Sequence, residues 1–243
     1  MGSCLAERLG DLTDLTEAER TALDLLERRE RVVRRGAALL RENDQVSELF
    51  VLKKGRMMNY VLLPDGSRQI LRVLFPGDML NVSGLMYRRS PETLVALADS
   101  VVCPFERGAL AVLIERHPRL SAIIMVANQI ERMALTDRLA AFGRTSAKAR
   151  VAALLLEIRN RMRTTDKSIT ASFAPGLTQE EIGDATGLTA VHVNRMLRQL
   201  EEERLITRAA GVVTFVSEAG LARAANYVDR FVGLDLGWLP APR

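Results

Sequence analysis

The segment from Gly176 to Ile206, GLTQEEIGDATGLTAVHVNRMLRQLEEERLI, carries side chains that can bind the edges of DNA base pairs. An arginine guanidinium can donate two hydrogen bonds to a guanine edge, and an asparagine amide can bond to a base. Small apolar side chains can contact the methyl group of thymine. If the second half of the segment is helical, such residues share one outer face, which would enter the major groove. The members of this face are Ala190, Val191, Asn194, Arg195 and Arg198.

Two helices joined by a tight corner are needed to present that face. Thr178 followed by Glu181 forms a capping-box pattern, which predicts a first helix that runs to about residue 186. Gly187 can adopt the positive φ of a sharp corner, and Thr189 can cap a second helix that runs to about Glu203. Two helices with a glycine corner between them are typical of the helix-turn-helix motif.

The packing pattern of the segment agrees with this interpretation. Gly183 is small where the two helices would cross, and the predicted seam is apolar, formed by Ile182, Leu188, Val193, and Met196 or Leu197. Polar residues at helix N-termini are placed to contact phosphates. These are Thr178, Gln179, Thr189 and His192. The alternative interpretation is a helical hairpin whose arginines are only solvated.

A β-hairpin wing is predicted directly after the second helix. Residues 205–207 and 212–216 are apolar or β-prone, and they flank the turn sequence Arg208-Ala209-Ala210-Gly211. We expect Arg208 at the tip of the wing, where it could contact a phosphate.

Earlier in the chain, residues 31–105 have the pattern of an antiparallel β unit. Strand-length apolar runs at Glu48–Lys53, Asn59–Leu63 and Gln69–Leu74 are separated by Lys-Gly and Pro-Asp-Gly-Ser turn signals. Before them, Thr16–Arg29 begins with a capping-box pattern and predicts a short amphipathic helix.

A long helix is predicted from Pro118 to about Phe142, where no proline or glycine interrupts the pattern, and Gly143 is expected to end it. A helix with two apolar stripes needs two partners, and the expected partners are its own β unit and the same helix of a second subunit. A core helix in a monomer is the alternative. The stripe assigned to dimerisation consists of Leu120, Ile123, Ala127, Ile130 and Ala134.

After Gly143, the spacing of Val151, Leu154, Leu155 and Ile158 predicts another helix, and residues 168–173 are β-prone. The pattern of the chain therefore separates into a β-rich part, a long helix and a part that contains the helix-turn-helix.

Composition limits the possible function classes. The chain has 243 residues, of which 48% are hydrophobic and 26% charged, as in an ordinary soluble globular protein. No uncharged apolar run approaches the length of about 18 residues that a membrane span needs, and the start, MGSCLAERLGDLTDL, does not resemble a secretory signal. We therefore expect a cytoplasmic protein. A formal net charge of +4 permits nucleic-acid binding without requiring it.

Catalytic patterns are missing from the sequence. It has two histidines, His117 and His192, and no HExxH, GxSxG or GxxxxGK[ST] motif. Cys4 and Cys103 form no CxxC pair, so we expect two free thiols and no zinc site. The chain is therefore predicted not to be an enzyme.

The order of these motifs resembles the CRP/FNR superfamily of bacterial transcription regulators over nearly the whole chain. The resemblance rests on Gly36 and Gly55, on the turn LPDGSRQI at residues 63–70, on FPGD at 75–78, and on LTQEEIGDATGLTAVHVNRMLRQLE with the wing after it. It implies an α+β fold with a β-roll sensor domain in residues 1–117, a dimerisation helix in 118–143 and a winged helix-turn-helix domain in 144–243. It also implies a homodimer on a near-palindromic DNA site, with RNA polymerase as a further partner.

The chain departs from the cAMP-binding members of this superfamily. Where those members have a Gly-Glu pair and an Arg-Ser/Thr pair that hold the ribose and the cyclic phosphate, this chain has Asn81-Val82 and Glu92-Thr93. A carboxylate at the place of the arginine repels a phosphodiester. Thr93 and Thr136, which match hydroxyl positions of those members, also have ordinary structural uses. We therefore expect no cAMP binding.

Other cofactors of the superfamily are also not expected. Members with an iron–sulfur cluster have three clustered N-terminal cysteines and a fourth that corresponds to Cys103, whereas here only Cys4 lies near the N-terminus. His117 is the one histidine of the sensor half available to a haem, and a histidine at the start of a helix is usually a capping or surface residue. A haem- or thiol-responsive regulator of the same superfamily stays the alternative.

Two questions about mechanism stay open at the level of sequence. An effector would have to bind one pose of the DNA-binding domains more tightly than the other, but a dimer that is always competent and is controlled by its abundance is also compatible with the sequence. Many members carry a glutamate where this chain has Val191, so a shared half-site is not expected. A cyclic-nucleotide-gated regulatory subunit is the contrasting class, and it would not need a helix-turn-helix.

Overall fold

The computed structural model of the chain describes residues 2–242. Their contacts divide the chain into two compact units. The first unit contains residues 2–61, 71–129 and 234–242, and the second contains residues 62–70 and 130–233. Each of these units combines segments that are distant in the sequence, so the units do not test the domain boundaries predicted at 117/118 and 143/144. Those boundaries stay a prediction.

Two four-stranded sheets form the β part of the fold. Their orders are β1-β8-β3-β6 and β2-β7-β4-β5. The strands are β1 (Arg31–Val33), β2 (Ala38–Leu40), β3 (Glu48–Lys54), β4 (Met57–Leu62), β5 (Arg68–Leu74), β6 (Met79–Leu80), β7 (Thr93–Ala96) and β8 (Ser100–Glu106). The three strands predicted from apolar runs correspond to β3, β4 and β5.

The turn between β3 and β4 shows why the sequence has a glycine there. Gly55 has a φ of +93°, and a Cβ at this position would lie 2.4 Å from the hydroxyl oxygen of Ser100. Only glycine meets both requirements, since it tolerates positive φ and has no Cβ. The adjoining strands bury Leu52 and Met57 in the core between the sheets.

The first unit also contains helices α1 (Cys4–Gly10), α2 (Glu17–Leu26), α3 (Arg107–Arg116) and the first part of α4 (Pro118–Arg144), with a 3₁₀ turn at Val82–Leu85. The predicted capping box is present in α2, where Thr16 Oγ1 accepts the N–H of Glu19 at 3.2 Å and Glu19 Oε2 accepts the N–H of Thr16 at 2.8 Å. Sequence reasoning missed α1 and α3.

The dimerisation stripe predicted on α4 is wrong. Leu120 and Ile123 are 0% exposed and belong to the core that α1, α2, β3 and β8 share. Ala127 packs against the same core, Ile130 is 5% exposed, and Ala134 lines a cavity of the second unit. All five side chains therefore face the interior of their own protomer.

Gly143 also differs from its prediction, because α4 continues through it to Arg144. A glycine inside a helix costs only about 1 kcal/mol relative to alanine, so it does not by itself end a helix. The next helix begins separately, with Ser146 as its cap, and Ser146 Oγ accepts the N–H of Ala149 at 3.1 Å.

The second unit contains the rest of α4 and a three-stranded sheet surrounded by helices. Its elements are α5 (Ala147–Thr165), β9 (Ser172–Phe173), α6 (Gln179–Thr186), α7 (Ala190–Glu202), β10 (Ile206–Ala209), β11 (Val212–Phe215) and α8 (Glu218–Ala225). The strand order is β10-β11-β9. Residues 62–70 join this unit, where Arg68 Nε donates to a carboxylate oxygen of Asp184 at 2.7 Å.

A buried arginine ties α5 to the wing strands. Arg159 is almost completely buried, its guanidinium lies 5.1 Å from the centre of the Phe215 ring, and it forms an ion pair with Glu218. A buried charge is tolerated when it is paired and lies over an aromatic face. The pair therefore fixes α8, which sequence reasoning did not predict, against α5.

The C-terminal segment, which sequence reasoning did not interpret, packs in two places. Residues 227–231 lie in the second unit, and residues 234–242 belong to the first. There, the carbonyl of Pro240 accepts a hydrogen bond from Arg119 Nε at 2.9 Å, while Arg119 Nη1 donates to Glu19 at 2.7 Å. Within residues 2–242, no helix has the length and apolar character needed to span a membrane.

Candidate DNA-reading surface

The first helix of the predicted pair begins as the sequence indicates. Thr178 Oγ1 accepts the N–H of Glu181 at 3.1 Å, and Glu181 Oε2 accepts the N–H of Thr178 at 2.7 Å. Thr178 and Gln179 are both exposed at this end. A helix start with exposed backbone N–H groups is suited to a phosphate, so the geometry is compatible with the contacts predicted for these two residues.

The corner between α6 and α7 depends on two glycines. Gly187 has a φ of 69° and a ψ of 40°, which is the left-handed conformation that glycine adopts without strain. At Gly183, a Cβ would lie 2.3 Å from the carbonyl oxygen of Leu188. The close crossing of the two helices therefore requires glycine at 183, as the sequence pattern predicted.

Helix α7 buries one face and exposes the other. Thr189 caps it by accepting the N–H of His192 at 3.3 Å. The predicted seam is confirmed, because the seam residues of both helices are buried and Leu188 is half-buried. The buried members are Ile182, Val193, Met196 and Leu197.

The opposite face of α7 carries the predicted reading residues. Val191 is 83% exposed, and Arg195 and Arg198 are also exposed. Ala190 and Asn194 are half-buried beside them. Positions 191, 195 and 198 are spaced by four and three residues, so they lie on one side of the helix. We call this side of α7 the reading face.

Arg195 contacts His192, which the sequence analysis assigned only to a phosphate contact. Its Nη2 lies 2.9 Å from Nε2 of His192, one turn earlier on α7. A ring nitrogen that carries no proton can accept this hydrogen bond, and four of the five guanidinium N–H donors stay available. His192 can therefore orient Arg195, besides the phosphate contact predicted for it. In the sequence, this contact was indicated only by the i, i+3 spacing of a histidine and an arginine on one helix.

The wing forms, but Arg208 is not at its tip. The strands pair Ile206 with Phe215 and Arg208 with Val213, and the turn is made by Ala210 and Gly211, which both have positive φ. Arg208 Nη2 donates to Glu201 at 2.7 Å, and this hydrogen bond lowers the pKa of Glu201. The expectation that Arg208 lies at the tip is wrong. It ties the wing to α7.

The region predicted to lack a cyclic-nucleotide site contains a partly buried polar pair in its place. Asn59 Nδ2 donates to Glu92 Oε2 at 2.6 Å, and Asn59 Oδ1 is buried with no hydrogen-bond partner among residues 2–242. Burial raises the pKa of Glu92, although the hydrogen bond from Asn59 and the charge of Arg72 act in the opposite direction. Thr93 Oγ1 accepts the N–H of Glu42 at 3.0 Å, so this hydroxyl has a structural role.

The two cysteines are free thiols. Burial raises the pKa of both Cys4 and Cys103 to about 11, and the charge of Glu27 adds to the shift. Both are therefore protonated at neutral pH, whereas the thiolate is the form that reacts and binds metals. His117 ends α3 as its C-terminal cap residue. Among residues 2–242, no group of three or more His, Cys, Asp or Glu side chains could hold a metal ion.

Comparison with known families decides the assignment. Residues 30–117 match the family model of a cyclic nucleotide-binding domain, and residues 149–224 match that of a Crp-like helix-turn-helix domain. Together the two matches cover more than half of the chain. The chain belongs to the CRP/FNR superfamily of transcription regulators. The α+β fold predicted for it, with a β-rich first part, a long helix and a C-terminal helix-turn-helix, is confirmed.

Curated relatives agree with this assignment, and a solved structure shares the fold. The chain is 32% identical over 170 residues to the transcriptional activatory protein AadR of Rhodopseudomonas palustris, with 70% of each chain covered. It is 31% identical over 186 residues to the nitrogen fixation regulation protein FixK of Bradyrhizobium diazoefficiens, with 76% of each covered. The structure of FixK2 from Bradyrhizobium japonicum superposes with a TM-score of 0.73, at 23% identity, over 83% of this chain and 98% of that one. The two curated relatives, AadR and FixK, are both named as regulatory proteins.

Proposed function

We propose that this CRP/FNR regulator binds a near-palindromic DNA site as a homodimer, with one α7 in the major groove of each half-site. The observation that carries the proposal is the two-sided character of α7. Its apolar face is buried against α6, while Val191, Arg195 and Arg198 point outward from the other side. In dimeric helix-turn-helix proteins, the half-sites are about one DNA turn apart, or 10–10.5 base pairs from centre to centre.

The dimer would form along the exposed side of α4. Met125, Leu135 and Leu139 are 51%, 40% and 73% exposed there. Together with Asn128 and Arg132, which are also exposed, they alternate in steps of three and four residues, which is the spacing of a coiled-coil seam. We call these five positions the α4 seam. A polar position within such a seam fixes the register of two helices, and Asn128 is suited to this role.

Selection of DNA sequences by the purified protein tests the proposal. We expect enrichment of an inverted repeat with the half-site spacing given above, bound about 10³-fold or more tightly than random DNA at physiological salt. Affinity should fall steeply as salt is raised, because the arginines displace counterions from phosphates. Enrichment of no sequence, or of a single unrepeated site bound by one subunit, would contradict the proposal.

We propose further that a cyclic nucleotide is not the effector. The support is the Glu92–Asn59 pair, since a carboxylate at this place repels a phosphodiester. Calorimetry of the full chain with cAMP should show no binding at micromolar concentrations. A cAMP dissociation constant in the micromolar range would refute this. A thiol-based response is disfavoured by the raised pKa of Cys4 and Cys103.

The last part of the proposal concerns RNA polymerase as a partner. The relative AadR is named as an activatory protein. A regulator of this kind acts on transcription through the polymerase, so we propose that the DNA-bound dimer contacts it.

A further inference from the structure

A cavity of about 110 Å³ lies within the second unit, next to α5. Its walls are the second half of α4, one side of α5, the end of α6, and residues 225–231, which begin at the last residue of α8. The walls from α4 precede the segment that matches the Crp-like helix-turn-helix family, and residues 225–231 follow it. The C-terminal segment of this chain therefore closes a space that the matched family segment does not build alone.

The interior of the cavity is mainly apolar. Small side chains leave the room that larger ones would fill, and Leu154, Phe142 and Phe231 supply the remaining apolar wall. The small members are Ala134, Ala141, Ala153, Ala185 and Ala225. A cavity of about 150 Å³ with apolar walls accepts benzene, so 110 Å³ limits the apolar body of a ligand to about six carbons.

Among residues 2–242, the charged side chains that line the cavity leave one cation without a carboxylate. Four arginines and three carboxylates line it. Three ion pairs join six of these side chains: Arg138 with Glu157 at 2.7 Å, Arg161 with Glu131 at 3.1 Å, and Arg230 with Asp137 at 2.6 Å. Arg150 is the fourth arginine, and its Nε and Nη1 donate to the carbonyls of Thr186 and Thr145 at 2.9 and 3.1 Å. Two carbonyls do not neutralise a guanidinium, so the lining carries one net positive charge.

The other end of the cavity contains a buried hydrogen-bond acceptor. Asn160 Oδ1 is buried and has no hydrogen-bond partner among the described residues, while its Nδ2 donates to Tyr227 and Asp229 at 3.3 and 3.1 Å. Buried polar atoms of this kind are normally paired with protein, water or ligand. Asn160 lies ten residues after Arg150, or about 15 Å along α5, so it marks the other end of the cavity. Arg150 and Asn160 are thus polar groups at the two ends of an apolar space.

We propose that this cavity binds a small monocarboxylate with an apolar body, whose carboxylate pairs with Arg150. One negative charge matches the one net positive charge of the lining, and the apolar body fills the space beside Ala153 and Leu154. The α4 residues that line the cavity, such as Ala134 and Ala141, lie on the side of the helix away from the α4 seam. A dimer formed through that seam therefore leaves the cavity open.

The cavity also touches the corner of the helix-turn-helix, which gives a bound carboxylate a route to DNA affinity. Phe142 lies against Gly187, where an added Cβ would come within 3.0 Å of Phe142 Cε1. The Arg150 guanidinium lies 5.7 Å from the centre of the Phe142 ring and holds the carbonyl of Thr186, next to the same corner. A carboxylate that draws Arg150 away from Thr186 would loosen this corner. This regulatory part rests on the proposed DNA-binding function, whereas the binding site itself does not.

Three probes with one apolar body and different charges test the site: hexanoate, hexanol and hexylamine. With the full chain, in the absence of DNA, we expect calorimetry to detect hexanoate most tightly, hexanol at least tenfold more weakly, and hexylamine not at all. At a hundredfold excess over its dissociation constant, hexanoate should raise the melting temperature by about 5–10 °C. Equal binding of hexanoate and hexylamine, or no binding of hexanoate, overturns the proposal.

Substitutions locate the site independently of the ligand series. Arg150→Gln should reduce hexanoate binding at least tenfold and leave hexanol unchanged, whereas Arg150→Lys should retain part of the preference for hexanoate. Because Arg150 also holds two carbonyls, Ala153→Leu is the second variant: it fills the cavity and should abolish binding. Ala111→Leu, at an exposed position of α3, is the matched control and should bind as the unaltered chain does. Full hexanoate binding by a folded Ala153→Leu variant places the ligand elsewhere and overturns the proposal.

The regulatory part has its own readout. Hexanoate should change the dissociation constant for the selected DNA at least threefold in the unaltered chain, with no change in the Ala153→Leu variant. Hexanoate binding without any change in DNA affinity overturns the regulatory part only. If the protein selects no DNA, the proposed function fails, and calorimetry without DNA still decides whether the site exists.

Discussion

Replacing Arg195 by alanine should sharply reduce sequence-selective DNA binding while the dimer stays folded. The side chain is exposed on the reading face, so its removal leaves no cavity in the protein. A bidentate arginine–guanine contact contributes about 1–3 kcal/mol of discrimination, and a dimer makes the contact twice. The expected loss of about 2–6 kcal/mol corresponds to a reduction in selective affinity of about 30-fold to 10⁴-fold. Fluorescence anisotropy with selected and random duplexes measures both affinities.

A single-atom change in the DNA shows whether Arg195 makes the contact itself. Substituting 7-deazaguanine for guanine removes the N7 acceptor that an arginine uses. The unaltered protein should lose affinity for one substituted position per half-site, and Arg195→Ala should show no further loss there. Arg223→Ala, which removes an exposed arginine of α8, is the matched control and should preserve selectivity. If Arg195→Ala prefers the same half-site as strongly as the unaltered protein does, another residue reads that base pair.

Replacing His192 should weaken the contact between Arg195 and the base less than replacing Arg195 itself does. Its ring nitrogen holds Arg195 at 2.9 Å, so replacing it removes the orientation but leaves the guanidinium in place. The helix-turn-helix therefore has one residue that can bind the base and a second that positions it. This division of roles depends on a side-chain contact, and the sequence alone showed only the spacing.

The helix-turn-helix could be predicted in detail because its determinants are local. The capping box of Thr178 and Glu181, the left-handed Gly187 and the close approach at Gly183 each involve residues within a few positions of one another. A short sequence therefore contains all the information that fixes the geometry. The strands β3, β4 and β5 were predictable for the same reason, since turn signals separate them.

The features that could not be predicted depend on long-range packing. Two apolar stripes on α4 look alike in sequence, and only the tertiary structure shows that Leu120 and Ile123 face their own β unit. Arg208 was expected at the wing tip because the strand boundaries were uncertain by one or two residues. In the structure, Arg208 lies within the strand, opposite Val213, where its guanidinium reaches Glu201. The cavity next to α5 depends on residues 225–231, whose irregular sequence carried no signal.

The second large effect concerns the α4 seam, which replaces the dimerisation stripe predicted from the sequence. Leu135→Asp and Leu139→Asp together should convert the dimer into folded monomers. Both leucines are exposed in the protomer, so the substitutions should change its free energy of unfolding by only about 0.5 kcal/mol each. In a paired seam they would place four carboxylates in an apolar interface, at a cost of several kcal/mol per buried charge. We expect the dimer dissociation constant to rise at least about 10³-fold, as measured by analytical ultracentrifugation.

A matched substitution separates the two faces of α4. Ile130→Asp buries a carboxylate in the interior of its own protomer, so it should lower the melting temperature strongly and unfold part of the second unit. If the seam forms the dimer, Leu135→Asp with Leu139→Asp gives monomers with a nearly unchanged melting temperature. These monomers should also bind the selected inverted repeat no better than a single half-site, because each half-site is then bound independently. A double variant that still sediments as a dimer would show that the subunits pair through another surface.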